Sequence, residues 1–436
     1  MAPRQLATLL LGLGLARAIP TASAQAPSRS ITLDEALRRA ESVDPQVKQA
    51  EGNVRNAGAS VKAAFGTYLP SFQTSADFSN SFSEAQTGVD PRTGEVISGS
   101  STGVSFGAMA TYDLFTGFRR GKDIASARAQ RASAEAALDY ERAQNRLRTT
   151  RAFVDAIQSA SLVRVRRESI RRAEEQFRIA VAKLATRSVN IDDSLQAAVN
   201  VAQAQLQLLS DEQQLEANEA ALGRAIGEVG RVSAQTESSL TRIASIPDTA
   251  ALITEAQTRA PEVLRTEAAE RAARANLSVV KAQYFPNLNV SANTQLAGNA
   301  AKDYRLLNSR SVGLGLSWQV FNRFQRELQI SQRRSDVATA ETQTADTRRR
   351  VAADMIGRLA GLRAAEARYR IALANLETLR ALVRVKLERY RIGSIDADLL
   401  SRTQEQLNNA ESETVRAQFD YVVRKAEIEA VIGRAL

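Results

Sequence analysis

VSFGAMATYDLFTGFRRGKDIASARAQRASAEAAL, residues Val104 to Leu138, changes its period partway along. Up to Leu114 the even positions are Val104, Phe106, Ala108, Ala110, Tyr112 and Leu114, against Ser105, Gly107, Met109, Thr111 and Asp113. Strict alternation over about ten residues is the mark of a strand with one apolar and one polar face. Beyond Gly121 the alternation stops, and from Lys122 to Leu222 there is neither glycine nor proline. That stretch reads as helix, so a two-faced strand feeds directly into an unusually long helix.

Working outward, the same alternation occurs three more times. Phe72, Thr74, Ala76 and Phe78 oppose Gln73, Ser75 and Asp77; Leu288, Val290 and Ala292 oppose Asn289, Ser291 and Asn293; Val312, Leu314, Leu316, Trp318 and Val320 oppose Gly313, Gly315 and Ser317. The lengths suit tilted membrane strands. Polar, glycine-bearing loops, Ser83 to Thr102 and Ala297 to Arg310, separate the strands of each pair and have the character of extracellular loops.

The chain says nearly the same thing twice. Pro45 and Pro70 recur at Pro261 and Pro286 with the same separation; DPQVKQAE (44–51) matches APEVLRTE (260–267), and NIDDSL (190–195) matches SIDADL (394–399). Each copy reads as helix, strand, strand, long helix, helix. The first copy spans 25–230, with strands at 70–83 and 103–115 and a long helix at 119–186. A Ser/Thr-rich linker follows at 231–248. The second copy spans 249–436, with strands at 286–297 and 311–321 and a long helix at 324–391. Thr32 followed by Glu35 forms a capping box for the first helix, which runs on to Pro70. In the second long helix Val351, Met355, Leu359, Leu362, Ala365, Tyr369, Ala372, Leu376, Leu379, Val383 and Tyr390 keep the seam period of a coiled coil. A helix of that length extends about 100 Å.

Residues 1–24 carry Arg4, an apolar run from Leu6 to Leu15 and Ala22-Ser23-Ala24, the pattern of a secretory signal cleaved after Ala24. The chain has no Cys and no His. Disulfides, thiolate chemistry, a thioether lipid anchor and imidazole catalysis or metal ligation are therefore excluded. Abundant Asp/Glu pairs fall at helix-surface spacings, so the chain does not read as an enzyme and no cofactor or metal is expected. The formal charge is +10, but basic and acidic residues alternate and aromatics make up only 5%. This is a solvated helix surface, not a nucleic-acid-binding one. Arg119, Arg120 and Lys122 at the strand-to-helix joint suit lipid headgroups or solvent at a membrane rim, or anionic cargo. Trp318 and Tyr112 suit an interfacial aromatic belt or plain strand packing.

No apolar run reaches the ~18 residues of a membrane helix, so strands must do any crossing. Four strands cannot close a barrel and open edges are not tolerated in lipid. Two copies would bring eight strands and three would bring twelve. The polar inner face would carry Gln73, Ser75, Asp77, Ser105, Thr111, Asn289, Asn293 and Ser317. A different class of protein, a structural periplasmic coiled coil without a pore, remains the alternative.

LDEALRRAESVDPQVKQAE (33–51), YLPSF (68–72), YFPNL (284–288), DLFTGFRRG (113–121), LGRAIG (222–227) and EAVIGRAL (429–436), in this order and duplicated, resemble the TolC family of outer-membrane efflux proteins. The resemblance covers residues 25–436. It implies a homotrimer with a twelve-stranded β-barrel and a long α-helical barrel, set in the outer membrane and reaching into the periplasm. It further implies a passive exit duct for efflux or type I secretion, working with a periplasmic adaptor and an inner-membrane pump or exporter. By position, the adaptor-docking tips are Ser188, Val189 and Asn190 in the first copy and Ile392, Gly393 and Ser394 in the second. Val189 departs from the usual tip glycine. Asp192, Asp193, Asp396 and Asp398 could line the periplasmic entrance, or simply cap the helices that follow the tips.

Overall fold

The computed structural model describes residues 29–81, 86–89, 96–98, 101–186, 191–236, 248–299 and 306–436. The expected signal segment, Ser188, Val189 and Asn190 at the first tip, and much of the linker and loops lie outside these residues. In chain order the elements are β1 (Arg29–Ile31), α1 (Leu33–Val43), α2 (Pro45–Gly66), β2 (Ser71–Ser81), β3 (Gln86–Val89), β4 (Val96–Ser98), β5 (Ser101–Phe115), α3 (Arg119–Ala185), α4 (Ile191–Ala225), β6 (Val232–Ala234), α5 (Thr249–Arg259), α6 (Pro261–Lys281), β7 (Asn287–Asn299), β8 (Leu307–Ser317), α7 (Gln325–Arg391) and α8 (Ala397–Ile432).

The two long helices, α3 and α7, have 67 residues each and span about 100 Å. They sit at equivalent places in the two halves. Among the described residues no helix is long and apolar enough to cross a membrane. At their midpoints lie the two largest buried clusters. Phe153 and Ile157 of α3 pack with Ile31, Ala36, Leu222 and Phe419; Met355 and Leu359 of α7 pack with Leu252, Val263, Tyr421 and Ile428. Short elements thus gather at mid-length, where one apolar stripe per helix would not by itself bury enough surface. The parallel pair β1–β6 fastens the first of these lobes.

Side by side, the elements form a strip four units wide. In the sheet the order is β2-β5-β7-β8, all antiparallel. Next to the sheet, α2 packs on α3, α3 on α6 and α6 on α7. Farther away, α4 packs on α3, α3 on α8 and α8 on α7. One flank is therefore β8 and α7 throughout. The other is β2, then α2, then α4. Among the described residues the sheet does not close on itself.

Several expectations need correction. The first helix does not run unbroken to Pro70: it divides into α1 and α2 at Asp44, held extended at φ −62°, ψ 122° by the following proline. Ala260 before Pro261 does the same between α5 and α6. Thr32 accepts from the Glu35 N–H at 3.4 Å, but the Glu35 carboxylate turns to Arg39 at 2.6 Å. The last strand is 307–317 and not 311–321. It pairs residue for residue with β7 from Leu307 opposite Ala297 to Ser317 opposite Asn287, and Trp318 leaves the ladder to donate its indole N–H to the Tyr284 carbonyl at 3.1 Å. The supposed loops are shorter than expected: 297–299, 307–310 and 101–102 belong to strands, and β3 and β4 pair inside the first loop.

Candidate functional site

Directly opposed residues of an antiparallel sheet share a face. The register therefore fixes the faces of all four strands. Gln73, Met109, Asn293 and Ser311 stand in one row; Asp77, Ser105, Ala297 and Leu307 in another; Thr111, Ser291 and Gly313 in a third. Asp113, Asn289 and Gly315 follow, then Asn287 with Ser317. All eight polar residues anticipated for an inner face, Gln73, Ser75, Asp77, Ser105, Thr111, Asn289, Asn293 and Ser317, lie on this one side. Ser311 donates to the Asn293 amide oxygen across the row. The opposite side carries Phe72 with Val312, Phe106 with Leu296, and Val290 with Leu314. Phe72, Phe78 and Val312 are more than 70% exposed. So large an open apolar surface belongs against lipid or another protein.

Sheet and helices meet at two equivalent joints. Gly117 and Phe118 at one, Arg323 and Phe324 at the other, are consecutive left-handed residues, with φ between 57° and 63°. They turn the chain from strand into helix. Thr116 and Asn322 then cap the turns, their side chains accepting from the N–H of Arg120 at 3.5 Å and Arg326 at 3.4 Å. Each joint buries that arginine. Arg326 lies 3.8 Å over the Tyr284 ring and donates to the Gln319 carbonyl and to Glu327. Arg120 lies between the rings of Tyr68 and Tyr112, at 5.1 and 5.3 Å, and its Nε and Nη2 find no acceptor among the described residues. Gly121 stands where the other joint has Glu327. Arg120 is 8% exposed, which corrects the reading that it meets lipid headgroups or solvent. Arg119, paired with Asp123 at 3.8 Å, and Lys122 do remain at the surface. Tyr112 is occupied by stacking, and Trp318 braces the joint. The duplicated F-x-x-F-x-R pattern (115–120, 321–326) carried this signal in the sequence.

At the far end, α7 stops at Arg391 and Gly393 takes φ 78°. The Gly393 N–H donates to the Tyr390 carbonyl at 3.1 Å and the Ser394 N–H to the Arg389 carbonyl at 2.8 Å, closing the helix end. Ile392 projects outward, 81% exposed. Asp396 caps α8, accepting from the Leu399 N–H at 3.0 Å. Asp398 pairs with Arg402 at 2.8 Å, and Asp192 and Asp193 occupy the first turn of α4. Capping is thus a realised role for Asp396, and the first-turn carboxylates favour the positive helix ends. The two hairpin ends touch: Lys183 of α3 donates to the Tyr390 carbonyl and lies over its ring, and Arg391 reaches Glu175 at 3.4 Å. Burial, then the charge of Asp193, raises the Tyr390 phenol above its ordinary pKa.

The open flanks of the strip bear apolar stripes at helical spacing. On α4 these are Ile191, Leu195, Val199, Leu206 and Leu209; on α7, Ile371, Leu382 and Val385. All are exposed. No cluster of metal-binding side chains occurs among the described residues.

The family model for outer membrane efflux proteins matches this chain twice, over residues 36–228 and 252–434. Solved structures are similar across nearly the whole chain. The CmeC outer membrane channel of Campylobacter jejuni has a TM-score of 0.71 at 16% identity, covering 92% of this chain and 85% of that one. The open state of the MtrE outer membrane channel of Neisseria gonorrhoeae has a TM-score of 0.74 at 14% identity, covering 93% and 89%. VceC of Vibrio cholerae, an outer membrane protein, has 0.71 at 13%, covering 92% and 96%. At these identities the likeness is one of fold. No curated protein sequence is significantly similar to this one.

Proposed function

Because the chain belongs to the outer membrane efflux protein family, we propose that it is the passive exit duct of a tripartite efflux or type I secretion machine, assembled as a homotrimer. The observation that carries this is the strip. Its β8/α7 flank and its β2/α2/α4 flank are both open, in the sheet and along the helices alike. A single head-to-tail operation, repeated around an axis, would join the two flanks at every level. Four strands per chain fall short of a closed barrel, and open edges do not persist in lipid. Three copies supply twelve strands. The stripes of α4 and α7 would then meet across each seam as coiled-coil neighbours.

In such a ring the exposed aromatic and aliphatic face of the sheet turns to lipid. The face holding Gln73, Ser75, Asp77, Ser105, Thr111, Asn289, Asn293 and Ser317 lines a water-filled pore. The helices continue the bore into the periplasm, and the tips at Ile392, Gly393 and Ser394 receive the adaptor. The tip at Ser188, Val189 and Asn190 is assigned the same role from its place in the repeat. Asp192, Asp193, Asp396 and Asp398 ring the entrance while serving their helix ends. Transport is downhill through the duct, with energy supplied by the pump; the chain carries out no chemical step.

Electron imaging of the detergent-purified protein tests the assembly. A hollow particle with threefold symmetry and a stalk of about 100 Å is expected; a thin solid rod would overturn the reading in favour of a pore-less coiled coil. The tip role has its own test. Gly393→Glu meets no neighbour within 4 Å, and although its left-handed backbone (φ 78°) makes the change locally strained by about 1 kcal/mol, the strain stays at the tip, so trimers should remain intact while export from cells is abolished. Unimpaired export would remove the docking assignment.

A further inference from the structure

Beneath α1, where the two halves of the chain meet, lies a groove of about 710 Å³. It is walled by α1, α3, the end of α5, α6 and the end of α8. None of the flank elements, β2, α2, α4, β8 or α7, contributes to it, so closing the strip into a ring need not fill it. Its floor is apolar, with Leu37, Leu264 and Ile432. Its rim is basic.

The carboxylates that line the groove are already engaged. Glu41 pairs with Arg142 at 2.9 Å, Glu135 with Arg131 at 2.9 Å and Asp139 with Arg142 at 3.9 Å; Glu429 accepts from the Leu436 N–H at 2.9 Å. The lining guanidiniums are not matched in the same way. Arg38 of α1, Arg146 of α3 and Arg271 of α6 have exposed side chains without an ion pair or side-chain hydrogen bond among the described residues. Arg259, at the end of α5, feels Glu255 only as a nearby charge. Four cations on four separate elements thus face one cavity, where elsewhere on the surface most arginines hold a carboxylate.

A second observation points into the same space. Asn145 is only 4% exposed, lines the groove and has no hydrogen-bond partner among the described residues. Its amide atoms are not among the sealed, unpartnered polar atoms of the interior, so they reach the groove and bond whatever fills it. A ligand carrying both an acceptor and a donor, such as a peptide backbone, would satisfy the amide.

We propose that this groove docks an acidic, partly apolar segment of a partner polypeptide, its carboxylates held by Arg38, Arg146, Arg259 and Arg271 and its backbone by Asn145. The volume suits several residues and exceeds what a lone inorganic anion would fill. Guanidiniums favour carboxylates through paired, charge-assisted hydrogen bonds. The apolar floor favours a segment with small aliphatic side chains between its acids. The site is distinct from the hairpin tips and does not depend on the pore.

The test uses the full chain in detergent and a fluorescein-labelled peptide of about ten alternating glutamates and alanines, followed by anisotropy. Saturable binding is expected, weakening as salt rises. Arg38→Gln combined with Arg271→Gln should raise Kd about tenfold or more, the scale of losing charge-assisted contacts. Asn145→Ala should raise it less. Arg171→Gln combined with Arg178→Gln, the same charge change on the exposed face of α3, should leave Kd unchanged. Equal binding by the Arg38/Arg271 variant, equal loss in the Arg171/Arg178 control, or equal binding of a glutamine–alanine peptide would each overturn the proposal. Displacement of the peptide by inorganic phosphate at low millimolar concentration would overturn it too, reducing the groove to a simple anion site.

Discussion

The two joints where strand becomes helix solve one problem with different residues. At the second, two non-glycine residues, Arg323 and Phe324, accept left-handed backbone, and the buried Arg326 has a ring, a carbonyl and a carboxylate to hold it. At the first, Gly117 takes the left-handed position before Phe118, and the buried Arg120 has two rings but leaves Nε and Nη2 without acceptors. Duplication preserved the geometry of the turn and let its stabilising partners drift. The requirement is therefore the turn itself, the point at which an outward-facing ladder is redirected into a helix, and not any one set of contacts.

The sharpest way to break this comparison is at Gly117. A Cβ there would come within 2.6 Å of the Phe285 Cβ and 3.1 Å of the Ala282 carbonyl oxygen. Gly117→Ala should destabilise by about 2–3 kcal/mol. Arg323→Gly, at the equivalent position, should stabilise by about 0.5–1 kcal/mol by removing left-handed strain. Denaturant unfolding followed by circular dichroism reads both; equal responses at the two sites would show that the joints are not built alike.

A smaller contrast concerns the buried arginines. Arg326→Met removes a close ring contact and a hydrogen bond to a backbone carbonyl, and about 2 kcal/mol is expected. Arg120→Met removes ring contacts at longer range and also relieves two unmatched N–H groups, so about 1 kcal/mol or less is expected. The order of the two losses is the observable. If Arg120 proved the more sensitive, a neighbouring copy would have to supply its missing acceptors.

The last contrast is at the helix starts. Asp44 caps α2 through the N–H groups of Gln46 and Val47, while Ala260 gives α6 no side-chain cap. Burial works to raise the Asp44 carboxyl, but those N–H groups and Arg148 outweigh it and hold it below its ordinary value. Ala260 is only 1% exposed and packs in the second core cluster, so Ala260→Asp should cost about 1–3 kcal/mol despite the new cap. A net gain would mean that the carboxylate reaches the α6 helix end and water together.

The strands and long helices were legible because their signals are long. Ten residues of alternation, or a hundred without a helix breaker, leave little room for another reading. Even the face of each pore candidate followed, since register preserves the period of two. What escaped was short or depended on packing. The three-residue strands β1 and β6 carry no periodicity. Pro45 was legible only as a landmark of the repeat, and the break it forces at Asp44 escaped a reading of one helix from Thr32 to Pro70. Arg120 reads as a surface residue because an arginine is rarely buried; only the folded joint brings Tyr68 and Tyr112 to it. The groove beside Asn145 draws on five helices and the chain end, and nothing in any one of them announces it.

The head-to-tail flanks have a genetic consequence. A protomer damaged only on its α7 face still offers a sound β2/α4 face, so it can enter a ring and leave one seam unsealed. In the homotrimer proposed above, a cell making equal amounts of normal and damaged chain would by random mixing have about one ring in eight free of damage. Substitutions along Ile371, Leu382 and Val385 should therefore behave as dominant, while chains that fail to fold at all should be recessive.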